Sequence, residues 1–385
     1  MKNFTFHNTT KIIFGRDQIP EIVNEIPKDN KVMIIYGGGS VKRNGTLEKV
    51  RGSLKDHTIY EFGGVEANPH YETLMQAVAL VKDKGVDFLL ALGGGSVIDG
   101  TKFVAAAACY DGDAWDIVKS YGSVVKKALP VGCVLTIAAT GSEMNNVAVV
   151  TRAETKDKLF FASPYVMPQF SVLEPELTFT LPQHQTANGV VDAFVHVLEQ
   201  YVTFPVNAKV QDRLAEGLLN TLKEEGPKVL VNPTDFDARA NIMWAATMAL
   251  NGLLSTGTPA DWASHLIGQE ITGLYGLDHA CTLAVMIPAI WKFNLADKKQ
   301  KLAQYGERVW NIPASDTETM AIQAIDTTVA FFESMGIKTR LSDYGLGEDS
   351  IPAVIDKFKE HGHVALGEHG NITPEKVEAV LKIAL

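Results

Sequence analysis

Cysteine is scarce in this chain: Cys109, Cys133 and Cys281 are the only three in 385 residues. They are odd in number, far apart and never in a Cys-x-x-Cys pair, which excludes a disulfide framework or a cysteine-built zinc site and fits a reducing cytoplasm. Cys109 and Cys133 lie in apolar runs and read as packing residues. Positive charge is also in short supply, with 35 Lys plus Arg against 45 Asp plus Glu and a formal net charge of −10. Such a chain repels phosphate backbones and anionic membrane surfaces, so neither nucleic acid nor membrane is an expected partner. Long hydrophobic runs are missing too. The longest stretch without a charge, Ala240 to Ala260, is interrupted by Asn241, Asn251, Gly252, Ser255 and Pro259. It suits a buried helix followed by a loop rather than a membrane span. The first residues carry no apolar segment of the signal-peptide kind.

What remains is ordinary globular material, 46% hydrophobic and 21% charged, enough for one large or two medium-sized cores. In the first 175 residues, short apolar runs that end in glycine alternate with helical patterns. Lys31–Tyr36, Val86–Leu92 and Val131–Thr136 read as buried parallel strands. Tyr71–Lys84 between the first two repeats Leu74, Ala77, Val78 and Val81 at helical spacing. From Pro182 onward helical patterns dominate: 185–202, 208–223, 237–250, 261–274, 317–334 and 374–384. The expected architecture is an α/β domain with a mainly parallel sheet over residues 1–180, followed by an all-α domain over 181–385.

Two glycine turns, Gly37-Gly38-Gly39-Ser40 and Gly93-Gly94-Gly95-Ser96, each follow an apolar strand. The second opens an alanine-rich helix, whose N-terminal amides and dipole accept a pyrophosphate without any basic side chain. Neither turn satisfies G-x-G-x-x-G, because Ile98 occupies the third glycine position after Gly93 and Gly95. If the Gly37 turn faces an adenosine ribose, it offers no carboxylate for a 2′-hydroxyl. Ser40, Lys42 and Arg43 would instead accept a 2′-phosphate, which favours NADP(H) over NAD(H).

A possible metal site lies in the helical half. Asp192 and His196 are spaced i,i+4, and with Gln185, Asn188, Glu199 and Gln200 they fall within an arc of about 120° on an otherwise apolar helix. Alone, this stripe could equally be a narrow solvent-facing strip. His265 and His279 favour a metal, since a break near Gly273 and Gly276 can return His279 to the point where His265 projects. One carboxylate and three imidazoles suit Fe2+ or Zn2+ and leave a position open for a substrate oxygen. His7, His57, His70, His361, His363 and His369 read as surface or loop residues, and His184, which opens the first helix of the all-α half, is ambiguous.

Several of these segments together resemble the iron-containing, or group III, alcohol dehydrogenases, and within them the butanol-dehydrogenase-like, NADPH-dependent aldehyde reductases. The carriers are Tyr36–Ser40, Gly93–Asp99, Thr136–Glu143, Thr180–Pro182, Gly189–Glu199 and the His265/His279 segment. The resemblance covers essentially the whole chain. It implies a dehydroquinate synthase-like architecture, a dinucleotide domain followed by a metal domain, with catalysis in the cleft between them. It also implies Asp192, His196, His265 and His279 as metal ligands, and Gly93 to Ser96 as the pyrophosphate cradle with Asp99 at its edge. Gly37 to Ser40 would lie near the ribose, with Asn68, Thr136, Thr140, Asn145 and Lys158 as further cofactor contacts. Relatives commonly carry a histidine facing the nicotinamide where this chain has Gln269, and glutamine cannot titrate near neutral pH.

The implied reaction is hydride transfer between NADP(H) and a primary alcohol or aldehyde, in a cytoplasmic homodimer. Two other readings stand beside it. One is a metal-dependent lyase or hydrolase of the same architecture; the other is a non-catalytic nucleotide-binding sensor.

Overall fold

The computed structural model describes residues 1–385, which group into two compact units. One comprises His7–Pro182 with Pro233–Thr247; the other comprises Met1–Phe6, Gln183–Asn232 and Met248–Leu385.

The α/β unit is built on a six-stranded parallel sheet. Its strands are β1 (Lys11–Phe14), β2 (Lys31–Tyr36), β3 (Thr58–Gly63), β4 (Phe88–Gly93), β5 (Val131–Leu135) and β8 (Phe170–Leu173), in the order β1-β8-β5-β4-β2-β3. Parallel strands are covered on both faces, so both sets of alternating side chains must be apolar. In β2, Val32, Ile34 and Tyr36 enter one core, while Met33 and Ile35 enter the other. In β4, Phe88, Leu90 and Leu92 pair with the first set, and Leu89 and Ala91 with the second. The register Val32↔Phe88, Ile34↔Leu90 holds the two strands in step. The short helices of this unit are α1 (Ile22–Glu25), α2 (Ser40–Arg43), α3 (Thr46–Ser53) and α6 (Trp115–Lys119); the longer ones are α4 (Tyr71–Lys84) and α5 (Gly95–Ala107). An antiparallel hairpin of β6 (Val147–Arg152) and β7 (Asp157–Ala162) lies outside the main sheet and was not anticipated from the sequence. Helix α9 (Phe236–Ala249) groups with this unit through Thr247.

The other unit is helical: α7 (Gln183–Tyr201), α8 (Lys209–Val231), α10 (Ala263–Tyr275), α11 (His279–Phe293), α12 (Leu295–Trp310), α13 (Thr317–Ser334), α14 (Ile351–Glu360) and α15 (Pro374–Ile383). Helix α7 is buried on every side from Gly189 to Tyr201. Around Ile267, Ile271, Val285, Met286, Val354 and Phe358, the helices α10, α11 and α14 share one apolar core with α15. No helix of the chain is long and apolar enough to cross a membrane.

Candidate metal centre and cofactor turns

The centre starts from the burial of α7. Glu199, 2% exposed, has no solvent to satisfy it, and its two oxygens serve the start of α10 instead. Oε1 accepts from the Ser264 N–H at 2.8 Å and Oε2 from His265 Nδ1 at 2.6 Å, while the Glu199 carbonyl accepts from the Asp261 N–H at 2.9 Å. A buried carboxylate therefore caps the helix that carries His265, where the dipole favours negative charge. Trp262 takes φ +59°, a value L-residues rarely adopt, and its ring lies 5.1 Å from that of His265 and 6.4 Å from that of His196. Gly276 (φ +73°) ends α10. Asn188 Nδ2 then donates to Asp278 Oδ2 at 2.9 Å, which ties the start of α11, and with it His279, to α7.

As a result Asp192, His265 and His279 each bring a donor atom within 4.8 Å of the other two, and His196 lies beside them. His196 Nδ1 is 3.8 Å and His279 Nε2 4.0 Å from Asp192 Oδ1. The His196 and His265 rings stack at 4.7 Å, and those of His265 and His279 meet edge-on at 5.2 Å. Burial, then the neighbouring His265, holds His196 well below the usual histidine range, so its imidazole is neutral. Because Nδ1 of His265 is occupied by the hydrogen bond to Glu199, Nε2 is the ring nitrogen left for the cluster. His265 Nε2 and His196 Nδ1 are both buried without a hydrogen-bond partner. Orphaned imidazole nitrogens beside a carboxylate are a donor set that fits one divalent cation. From Asp192 to Gln200 the polar stripe of α7 is thus not a solvent strip, although Gln185 at its start is exposed; Gln200 is buried too, donating to the carbonyls of His196 at 2.7 Å and Ala249 at 2.8 Å.

The glycine turns sit in the other unit, at the carboxyl ends of the neighbouring strands β2 and β4. The chain leaves β2 for β3 toward one edge of the sheet and leaves β4 for β5 toward the other. Adjacent strands whose connections diverge make the crevice where α/β sheets bind ligands. Around the second turn, Thr136 N–H donates to the Gly93 carbonyl at 3.0 Å and Asn68 N–H to Ser96 Oγ at 3.3 Å. The three glycines have a packing reason as well as a ligand reason. A Cβ would strike Val97 at Gly93, Ile137 at Gly94 and Thr140 at Gly95. Gly38 is different: a Cβ there would meet nothing within 4 Å. Beside it, Ser40, Lys42 and Arg43 are exposed.

Asp99 and Asn145 are engaged within the protein. Asp99 accepts from Ser142 Oγ at 2.6 Å and from the Val149 N–H at 3.0 Å. Asn145 Oδ1 accepts from Lys102 Nζ at 3.1 Å and its amide donates to the Gly141 carbonyl at 2.9 Å. Lys102 is fully buried, also donating to Ser142 Oγ and the Val147 carbonyl, and burial brings its ammonium down to about 8. This lysine, like Glu199, was missed in the sequence because only tertiary contacts reveal it. Lys158 is buried opposite Thr151 in the hairpin.

Residues 9–175 match the iron-containing alcohol dehydrogenases, and residues 186–385 match the C-terminal region of the Fe-containing alcohol dehydrogenase family. The chain belongs to this family. It is 55% identical over 375 residues to the NADPH-dependent aldehyde reductase YqhD of Escherichia coli, covering 97% of each chain. Identity to the probable NADH-dependent butanol dehydrogenase 1 of Bacillus subtilis is 41% over 390 residues and the full length of both. A crystal structure of NADH-dependent butanol dehydrogenase A from Thermotoga maritima superposes with a TM-score of 0.95 at 36% identity, covering 100% of this chain and 99% of that one. The parallel-sheet unit and helical unit are therefore the architecture of the iron-containing alcohol dehydrogenases, and the chain is a metal-dependent alcohol/aldehyde oxidoreductase.

Within this family member, Gln269 is buried on α10, and its side chain makes no hydrogen bond in the chain. His184, His7 and His369 are exposed, in keeping with surface roles. His361 and His363 depart from that expectation. Their side chains are only 7% and 12% exposed, drawn in by the buried Glu270. Cys133 is buried as anticipated and burial raises its thiol to about 12, whereas Cys109 is only partly covered.

Proposed function

We propose that the chain reduces small aldehydes to primary alcohols with NADPH, reversibly, at a single divalent metal held by Asp192, His196, His265 and His279. The observation that carries this reading is the pair of buried, partnerless nitrogens on His265 and His196 beside the Asp192 carboxylate. Fe2+ and Zn2+ both fit these donors. When bound, the metal supplies Lewis acidity to the substrate oxygen and the reduced nicotinamide supplies the hydride. The protein's own part is orientation. Glu199 fixes the tautomer and angle of His265, and Asn188 with Asp278 anchors the start of the helix that His279 opens. Gln269 can hydrogen-bond but neither gives nor takes a proton near neutral pH, so the proton that completes the alcohol comes from another donor such as water.

In this reading residues 1–180 bind the dinucleotide and residues 181–385 the metal and substrate. Gly93–Ser96 and the uncapped N-terminus of α5 cradle the pyrophosphate. Asn68, Thr136, Thr140 and Lys158 line the cofactor, while Asp99 and Asn145 support it through the buried Lys102 network. NADP(H) is favoured over NAD(H), because Gly37–Ser40 presents open space at Gly38 and the exposed Ser40, Lys42 and Arg43, with no carboxylate in the turn. The Escherichia coli relative is named NADPH-dependent, although the Bacillus subtilis and Thermotoga relatives are named for NADH.

The protein would act in the cytoplasm, where its three unpaired cysteines stay reduced, and as a homodimer. The outer edge of β1 has no partner strand, and Phe14 and Trp244 beside it are 39% and 42% exposed. The test is NADPH absorbance with a short-chain aldehyde before and after chelation. Consumption that stops on chelation and returns with metal supports the reductase. Binding without turnover would select a sensor, and chemistry without NADPH a lyase or hydrolase.

A further inference from the structure

Helix α14 ends at Glu360, and the chain continues His361-Gly362-His363. Gly362 takes φ +73°, a left-handed value that suits glycine. The turn is closed by His361 N–H to the Lys357 carbonyl, Gly362 N–H to Lys359 and His363 N–H to Phe358, each at 3.0 Å. It delivers both imidazoles to one point on α10, where Glu270 is 2% exposed. Glu270 Oε1 lies 2.7 Å from His361 Nδ1 and 3.7 Å from His363 Nε2. All three candidate donor atoms lie within 4.8 Å of one another. The His363 ring also packs 5.1 Å from Phe358, which limits its freedom to turn away.

A simple ion-pair clamp accounts for half of this. His361 at 2.7 Å is a good hydrogen-bond partner for Glu270. His363 at 3.7 Å is beyond hydrogen-bond reach, yet it is held nearly as deep and aimed at the same oxygen. Spacing distinguishes the two uses. Donors about 2.0–2.1 Å from a tetrahedral ion stand about 3.3 Å apart. The two gaps here, 2.7 and 3.7 Å, bracket that distance, and the corresponding gaps to Asp192 in the four-residue centre are 3.8 and 4.0 Å.

We propose that Glu270, His361 and His363 form a second divalent-metal site, taking Zn2+ or a similar first-row ion through Glu270 Oε1, His361 Nδ1 and His363 Nε2. Two imidazoles and one carboxylate suit such an ion and leave at least one coordination position to water. The site is separate from the four-residue centre. Glu270 follows His265 by five positions on α10, about 7.5 Å along the helix axis and about 140° around it. A metal here fastens the segment after α14 to the helix that carries His265.

The test uses the full chain stripped of metal and titrated with Zn2+ against a chromogenic chelator. Wild type should bind two equivalents. The variant Asp192→Ala/His265→Ala should keep one, and adding His363→Ala to it should abolish that one. Glu270→Gln, which keeps the shape of the side chain, should weaken the second equivalent at least tenfold in the same background. Far-UV circular dichroism checks that each variant is folded, and Zn2+ should raise the melting temperature of Asp192→Ala/His265→Ala but not that of the triple variant. A single equivalent in wild type, none in Asp192→Ala/His265→Ala, or one retained after His363→Ala overturns the proposal. None of these outcomes depends on aldehyde turnover, so the second site and the proposed reaction fail or stand separately.

Discussion

His265 donates through Nδ1 to Glu199 Oε2 at 2.6 Å and is left with a buried Nε2 that has no partner. One hydrogen bond thus sets which nitrogen of the ring is available, from a residue 66 positions earlier in the chain. Glu199→Gln should weaken metal affinity about 10- to 100-fold, the usual cost of losing an outer-shell carboxylate. The measurement is competition with a chelator. An unchanged affinity would mean that His265 is oriented without Glu199.

The Gly37 turn makes a second prediction. Lys42→Ala/Arg43→Ala should raise KM for NADPH about tenfold, two modest charge contacts together, and leave KM for NADH unchanged. Steady-state kinetics with both cofactors read this directly. An equal rise for both would place the 2′-phosphate elsewhere.

Position 269 makes a third. Gln269→His should add an ionisation to the pH–rate profile between about pH 6 and 8, because imidazole titrates there and an amide does not. If the profile does not change, position 269 stands outside the proton path.

Stability supplies a fourth. Lys298, almost fully buried, reaches Asp261 Oδ2 at 2.8 Å, Glu368 Oε1 at 2.7 Å and the Val202 carbonyl at 2.9 Å. Burial acts to lower its pKa, and the pull of Asp261 and Glu368 overcomes that, leaving it above the ordinary lysine value. Lys298→Met strands two buried carboxylates and should cost about 3–5 kcal/mol, seen as a fall of roughly 10 °C in Tm. A raised lysine contributes fully below its unfolded value of 10.5 and loses that contribution as pH rises through the folded value. The gap between wild type and variant should therefore hold through neutral pH, narrow in strong alkali, and narrow also in acid, where Asp261, whose carboxyl burial pushes up, takes a proton and no longer needs the lysine.

Much of the fold was legible where one face of an element differs chemically from the other. Helix α4 occupies Tyr71–Lys84 as its Leu74, Ala77, Val78 and Val81 spacing indicates, and α13 runs over Thr317–Ser334 as read. Helix α11 was not anticipated, because it is apolar on nearly every side and contains Pro288, so no periodic stripe marks it. The β6–β7 hairpin lacks a two-residue glycine turn; its loop passes instead through Lys156 at φ +58°. Asp192, His196, His265 and His279 could be picked out because carboxylate and imidazole are unusual on buried helices. Glu199 could not. It shares the polar stripe of α7, and only the docking of α10 on that stripe separates a buried acceptor from a solvated one. The same holds for Glu270, which lies 91 residues from its partner His361.

The most direct test of the proposed chemistry is metal content and NADPH-dependent aldehyde reduction measured in parallel on wild type and His265→Ala, with cofactor binding followed by nicotinamide fluorescence. The account predicts that His265→Ala loses metal from the four-residue centre and turnover together while still binding NADPH. Wild-type turnover by His265→Ala with undiminished metal content would contradict it.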